Sequence, residues 1–205
     1  DADDVVPVEV TGLAGQGLAL RINGTEIKTI SANGSYNFTY GLPGAATYSV
    51  QVLNNPKGLS QTCVVSNGFG TMPSSAVTNV NISCTTDYFS VTGTVRGLTG
   101  NGLTLQNNGG SDIGLNSTGS DINFSFASQI DGSGFSITIL NQPSSPPQVC
   151  SISASGTAAS GTVSGGNKAG LLIDCAPDAP GLPDLLAAHD SGTSNSDNIT
   201  NQTTA

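Results

Sequence analysis

Tryptophan is absent from this 205-residue chain, and histidine and methionine occur once each. Lys and Arg together number five against fourteen Asp and Glu, for a net charge of −9. Arg21, Lys28, Lys57, Arg96 and Lys168 are also scattered. Phosphate backbones need clustered cations, so nucleic acid is excluded as a partner. Charged residues make up 9% of the chain, far below the ~25% of an ordinary globular protein. That scarcity, without Leu-Glu-Lys periodicity, argues against a helical interior. No apolar run reaches the ~18 residues of a membrane-spanning helix.

Catalytic groups are equally scarce. The lone His189 stands in a polar tail, away from any Ser-His-Asp or Cys-His pairing. Glu9 and Glu26 are the only glutamates, and the aspartates fall mostly at turns and repeat ends. A glycosidase needs two carboxylates flanking a cleft, and no such pair is visible. "GLAGQGL" has no following helix to cradle phosphate, so its glycines serve turns and bulges. The reading is non-enzymatic.

What is present is Gly, Ser, Thr, Asn and short β-branched runs. Val6, Val8 and Val10 alternate with Pro7 and Glu9, the period of a half-buried strand. "SYNFTY" places Tyr36, Phe38 and Tyr40 on one face. Asn23-Gly24, Asn33-Gly34, Asn67-Gly68 and Asn108-Gly109 supply turns that tolerate positive φ.

The chain also repeats itself. "GLAGQGLAL" (12–20) returns as "GLTGNGLTL" (97–105), and "SVQVLNNP" (49–56) as "SITILNQP" (136–143). "YNFTY" (36–40) aligns with "INFSF" (122–126), Cys63 with Cys150, and Cys84 with Cys175. Ordered landmarks at near-constant offset indicate tandem duplication. The expected organisation is a first repeat over 1–86, a second over 87–177, and a tail or linker over 178–205. Each repeat reads as about seven short strands. The fold class is therefore all-β: two tandem immunoglobulin-like β-sandwich domains plus an extended polar C-terminal tail.

Four cysteines allow three pairings. Duplication favours Cys63–Cys84 and Cys150–Cys175, because each unit must have been stable alone. A metal site is the rival reading, weakened by the lack of a C-x-x-C pair. Paired bridges with low charge point outside the cytoplasm. A start at Asp1 without Met suggests processing or excerpting from a longer precursor. Eight N-x-S/T sequons, at Asn23, Asn33, Asn37, Asn81, Asn116, Asn123, Asn198 and Asn201, are the harvest expected of so Asn- and Thr-rich a chain.

Acidic residues gather at the start, at Asp87 between the repeats, and from Asp174 onward. Oxygen ligands of this kind suit Ca²⁺, for which Asp184, Asp190 and Asp197 are the candidate ligands. From Pro183 the tail runs Asp184-Leu185, then Asp190-Ser191-Gly192, Ser194 and Asp197-Asn198-Ile199-Thr200. This pattern resembles the opening of immunoglobulin-like repeats in giant bacterial surface adhesins of the biofilm-associated and repeats-in-toxin-exported kinds. The resemblance implies that a further module begins here, and that calcium sits at the junction. Residues 4–175, with "GLTGNGLTLQNNGG", "QTCVVSNGFGT" and "VTNVNISC", resemble a tandem disulfide-bearing β-module of secreted bacterial proteins.

The functional expectation is an extracellular, non-enzymatic bacterial surface module that spaces or stiffens a fibre or adhesin. Its partners would be neighbouring modules or copies of itself, with a surface glycan or protein receptor as further candidates. One alternative is a filament subunit donating its first strand through Val5, Val6, Val8 and Val10. A carbohydrate-binding module is another, with Phe69 and Tyr88 the only rings read as exposed.

Overall fold

The computed structural model describes residues 5–39, 41–72 and 80–178. Among these residues the chain is strand and loop, with no helix. The first half contains β1 (Pro7–Thr11), β2 (Leu18–Ile22), β3 (Glu26–Ile30), β4 (Gly34–Asn37), β5 (Thr47–Asn54), β6 (Gln61–Ser66), β7 (Phe69–Thr71) and β8 (Val80–Thr86). The second contains β9 (Tyr88–Phe89), β10 (Val91–Arg96), β11 (Asn101–Asn107), β12 (Ser111–Asn116) and β13 (Ile122–Ser125). It continues with β14 (Gln129–Ile130), β15 (Gly134–Asn141), β16 (Gln148–Ile152), β17 (Ser160–Thr162) and β18 (Lys168–Pro177). The strands beyond the expected seven per half are pieces of two or three residues, too short to carry an alternating pattern.

The sheet orders are β4-β1-β8-β6 and β3-β2-β5-β7 in the first half. In the second they are β13-β10-β18-β16 and β12-β11-β15-β17, with β9 and β14 forming a two-stranded ribbon. Each half packs its two four-stranded sheets around one hydrophobic cluster, an all-β sandwich. The first long strand of each half lies inside its sheet and runs parallel to the last: β1 beside β8, β10 beside β18.

The alternation in "VVPVEV" explains the placing of β1. Val6, Val8 and Val10 are at most 1% exposed and face the cluster formed with Leu18, Leu20, Ile30 and Ile82. Burying each such side chain contributes about 1.5–3 kcal/mol. Asn23 and Gly24 both take positive φ (49° and 74°), as do Asn108 and Gly109 (53° and 71°), giving the tight connections β2–β3 and β11–β12.

One detail of the internal alignment shifts. Phe38 N–H donates to Val6 O and Phe126 N–H to Val91 O. Phe38 therefore corresponds to Phe126, two residues beyond its partner in the "YNFTY"/"INFSF" alignment. Phe38 is fully buried and Tyr36 packs half-buried against the cluster, while Tyr40 lies outside the described residues.

Candidate functional site: glutamine staples and an aspartate joint

The repeated landmarks of the sequence converge at one end of each half. In "QTC" and "QVC" a glutamine precedes the first cysteine by two residues, which places both inward on the same strand face. Gln61 and Gln148 are 4% and 3% exposed. Gln61 Oε1 accepts from the N–H groups of Ala14 (2.9 Å) and Gly15 (2.7 Å). Its Nε2 donates to Gly12 O and Thr86 Oγ1, both at 2.9 Å. Gln148 repeats this with Thr99 N (2.7 Å), Gly100 N (2.8 Å) and Gly97 O (2.9 Å). Each "GL-x-G" loop is thus pinned by one amide that satisfies its buried backbone groups.

The loop glycines are required for this fit. Gly12 has φ +72°, and a Cβ there would stand 2.1 Å from Cys84 O. Gly97 has φ +70°, with Cys175 O at 2.7 Å from the same position. The residue before the loop proline completes the set. Asn55 Oδ1 accepts from Cys63 N (2.9 Å), and Gln142 Oε1 from Cys150 N (2.8 Å).

Cys63 and Cys84 are bonded, as are Cys150 and Cys175. Both bridges join directly opposed residues of neighbouring antiparallel strands, β6 to β8 and β16 to β18. They lie within a sheet, unlike the bridge that spans the two sheets of antibody domains. No cysteine is free.

At the foot of the first half, the loop carrying Ser60 meets the second half. Asp131 is the centre of this joint. It follows β14, is 4% exposed, and accepts from Ser60 N–H (Oδ2, 2.6 Å) and Gly165 N–H (Oδ1, 2.8 Å). Its own N–H donates to Asp87 O (2.9 Å), and Asp87 N–H donates to Ser60 O (2.9 Å). Ser60 Oγ closes the ring by donating to Asp87 Oδ2 (2.6 Å). Gly132 lets the loops touch, since a Cβ there would lie 2.7 Å from Leu59 Cδ2. The Ser60 N–H, then that of Gly165, hold the Asp131 carboxyl below its ordinary value, helped by Gly132 N–H and Lys168 and opposed by desolvation.

The remaining expected residues fall elsewhere. Asp184, Asp190, Asp197 and His189 lie outside the described residues. Among the described residues no three His, Cys, Asp or Glu converge. Asp174 instead pairs with Arg96 across β10 and β18, and its carboxyl is lowered by Ser153 and by Arg96. Val6, Val8 and Val10 fill their own chain's core, with Val5 half-buried beside them. β1 is paired on both sides within the chain, so exchange between copies would replace an internal strand. Phe69 and Tyr88 are exposed, at 70% and 62%. A surface depression of about 410 Å³ is lined by Thr92, Thr94, Asn123, Ser125, Phe124 and two glycines, none of them ionisable at neutral pH.

The two glutamines were legible as the first letter of a repeated Q-x-C, a signal the cysteines overshadowed. Asp131 has no counterpart in the first repeat, so only that departure marks it.

No protein-family model matches the sequence, and no curated protein does. Among solved structures, the chain is similar to the pilus adhesin SpaC from Lactobacillus rhamnosus GG. The identity is 12% and the TM-score 0.34, over 84% of this chain and 31% of that one. A C-terminal fragment of the same adhesin matches with equal identity and TM-score over 98% of its length. This chain spans about a third of the length of the longer SpaC structure, and likeness at this level carries no argument about function.

Proposed function

We propose that the chain is a non-enzymatic structural or adhesive module of a bacterial surface protein, spacing or stiffening a fibre or adhesin. In this reading residues 1–86 and 87–177 are tandem units, 178–205 leads into a neighbour, and the setting is extracellular. Two disulfides with no free thiol fit an oxidising compartment. The partners are neighbouring modules or copies of itself. Calcium at Asp184, Asp190 and Asp197 belongs to the same proposal, as an addition at the far end.

The observation that carries this reading is the Ser60–Asp87–Asp131–Gly165 joint. Connected domains move relative to one another by default. A buried carboxylate accepting backbone N–H groups from both halves opposes that motion, and a spacer needs such a restraint.

Asp131→Ala tests it. The two halves of the native protein are expected to tumble with one rotational correlation time by ¹⁵N relaxation. In the variant they separate into two, and X-ray scattering shows a broader distribution of lengths. Independent tumbling in the native protein would sink the reading.

Acid should act in the same direction. Asp131 has a folded pKa below its unfolded value, so its contribution is fully present above about pH 4. It is lost as pH falls through the lower folded pKa. The joint is therefore expected to survive at pH 4 and to open only below it, which scattering across pH 2–5 would read.

A further inference from the structure

We propose that each half is built to bear tension along the chain, through shear between its first and last long strands. The inference rests on the spacer reading for its setting, but its physical content stands on the strand order.

β1 and β8 are neighbours and parallel, with Val8, Glu9, Val10 and Thr11 opposite Val80, Asn81, Ile82 and Ser83. The chain enters β1 at one end of this pair and leaves β8 at the other. Tension applied through the chain pulls the two strands in opposite directions along their own axes. Every hydrogen bond between them is loaded at once, rather than one after another as in unzipping. Pulling β1 out also breaks its second ladder, to β4, where Pro7 through Val10 face Asn37 through Gly34.

The second half repeats the arrangement. Val91 and Gly93–Arg96 lie parallel to Lys168 and Leu171–Asp174, and the last of these pairs carries the Arg96–Asp174 ion pair. In each half the disulfide sits near the exit, at Cys84 and Cys175. It ties the departing strand to β6 or β16, so the load entering there spreads over two strands.

The signature of shear is its dependence on direction. The full chain would be stretched in a single-molecule instrument, first by handles at its two termini. A second experiment would use handles at the N-terminus and at an unnatural residue replacing the exposed Asn37. Pro7 and Asn37 face each other across an antiparallel pair, so the second geometry peels β1 from β4 bond by bond. End-to-end pulling is expected to give two sharp ruptures at several-fold higher force than the peeling geometry.

Reduction identifies which half gives way. The bridges close sequence separations of 21 and 25 residues. At ~3.3–3.6 Å per extended residue, reductant should lengthen one rupture by about 70 Å and the other by about 85 Å. Equal force in the two geometries, or smooth yielding under end-to-end pull, would overturn the inference. Either result is independent of whether Asp131→Ala loosens the joint, so the two readings fail separately.

Discussion

Replacing Gln61 by Leu is expected to lower the unfolding free energy of the first half by about 3 kcal/mol. The two side chains have similar volume, so packing changes little. What is lost is hydrogen bonding to Ala14 N, Gly15 N, Gly12 O and Thr86 Oγ1. A buried backbone group left without a partner costs about 1–3 kcal/mol, and Gly15 N–H is the most enclosed of the four. The others recover part of their loss from water. Gln61→Glu keeps an acceptor for the two N–H groups but turns a carboxylate oxygen towards Gly12 O at a buried position, so it should cost at least as much as Leu. With no tryptophan in the chain, denaturant titrations would be followed by circular dichroism. A loss under about 1 kcal/mol would mean that the loop is held by its neighbouring strands and that the amide is incidental. Gln148→Leu should show the same penalty in the second half, where the same loop contacts recur.

Removing the bridge by the double substitution Cys63→Ala and Cys84→Ala is expected to cost a similar amount, about 3 kcal/mol. The chain-entropy argument gives this value for a closed loop of some twenty residues. Two structural facts make it count. Among the described residues, β6 lies at the edge of its sheet, and its only partner there is β8. The bridge also lies in the core of the sandwich, where Cys63 and Cys84 are buried with Val10, Ile82 and their neighbours. Against a usual domain stability of about 5–15 kcal/mol, the loss is a large share. Cys150→Ala with Cys175→Ala should behave alike, because the separations, 21 and 25 residues, differ little on a logarithmic scale. Thermal melts of the native protein with and without reductant check both at once. Unchanged melting would show that the strand ladder alone secures β6 and β16.

What could be read in advance was whatever leaves a local pattern. The period-two valines of β1, the Asn-Gly turns at Asn23 and Asn108, and the all-β character are written in neighbouring letters. The alignment of "YNFTY" slipped by two residues for a physical reason. A shift of two preserves which side chains face the core, so hydrophobicity cannot detect it. Only the hydrogen bonds from Phe38 and Phe126 fix the register. The joint was illegible for another reason. Asp131 meets Ser60 across 71 residues, and a polar side chain chosen to complete a backbone in another loop has no periodicity to betray it. Asn33 is similar: the sequence offers it as a turn residue, while its amide brackets both Leu13 N and Leu13 O.

The parallel pairing of first and last strands also governs how the protein must be made. β1 emerges early from a ribosome or a secretion channel, but its place beside β8 cannot be filled until residues 80–83 have followed. Each half therefore completes its sheet only when its last strand arrives. Contacts so distant in sequence slow folding towards the millisecond-to-second range. A chain passing end-first through a narrow pore would travel as an open thread, and would close, half by half, on the far side.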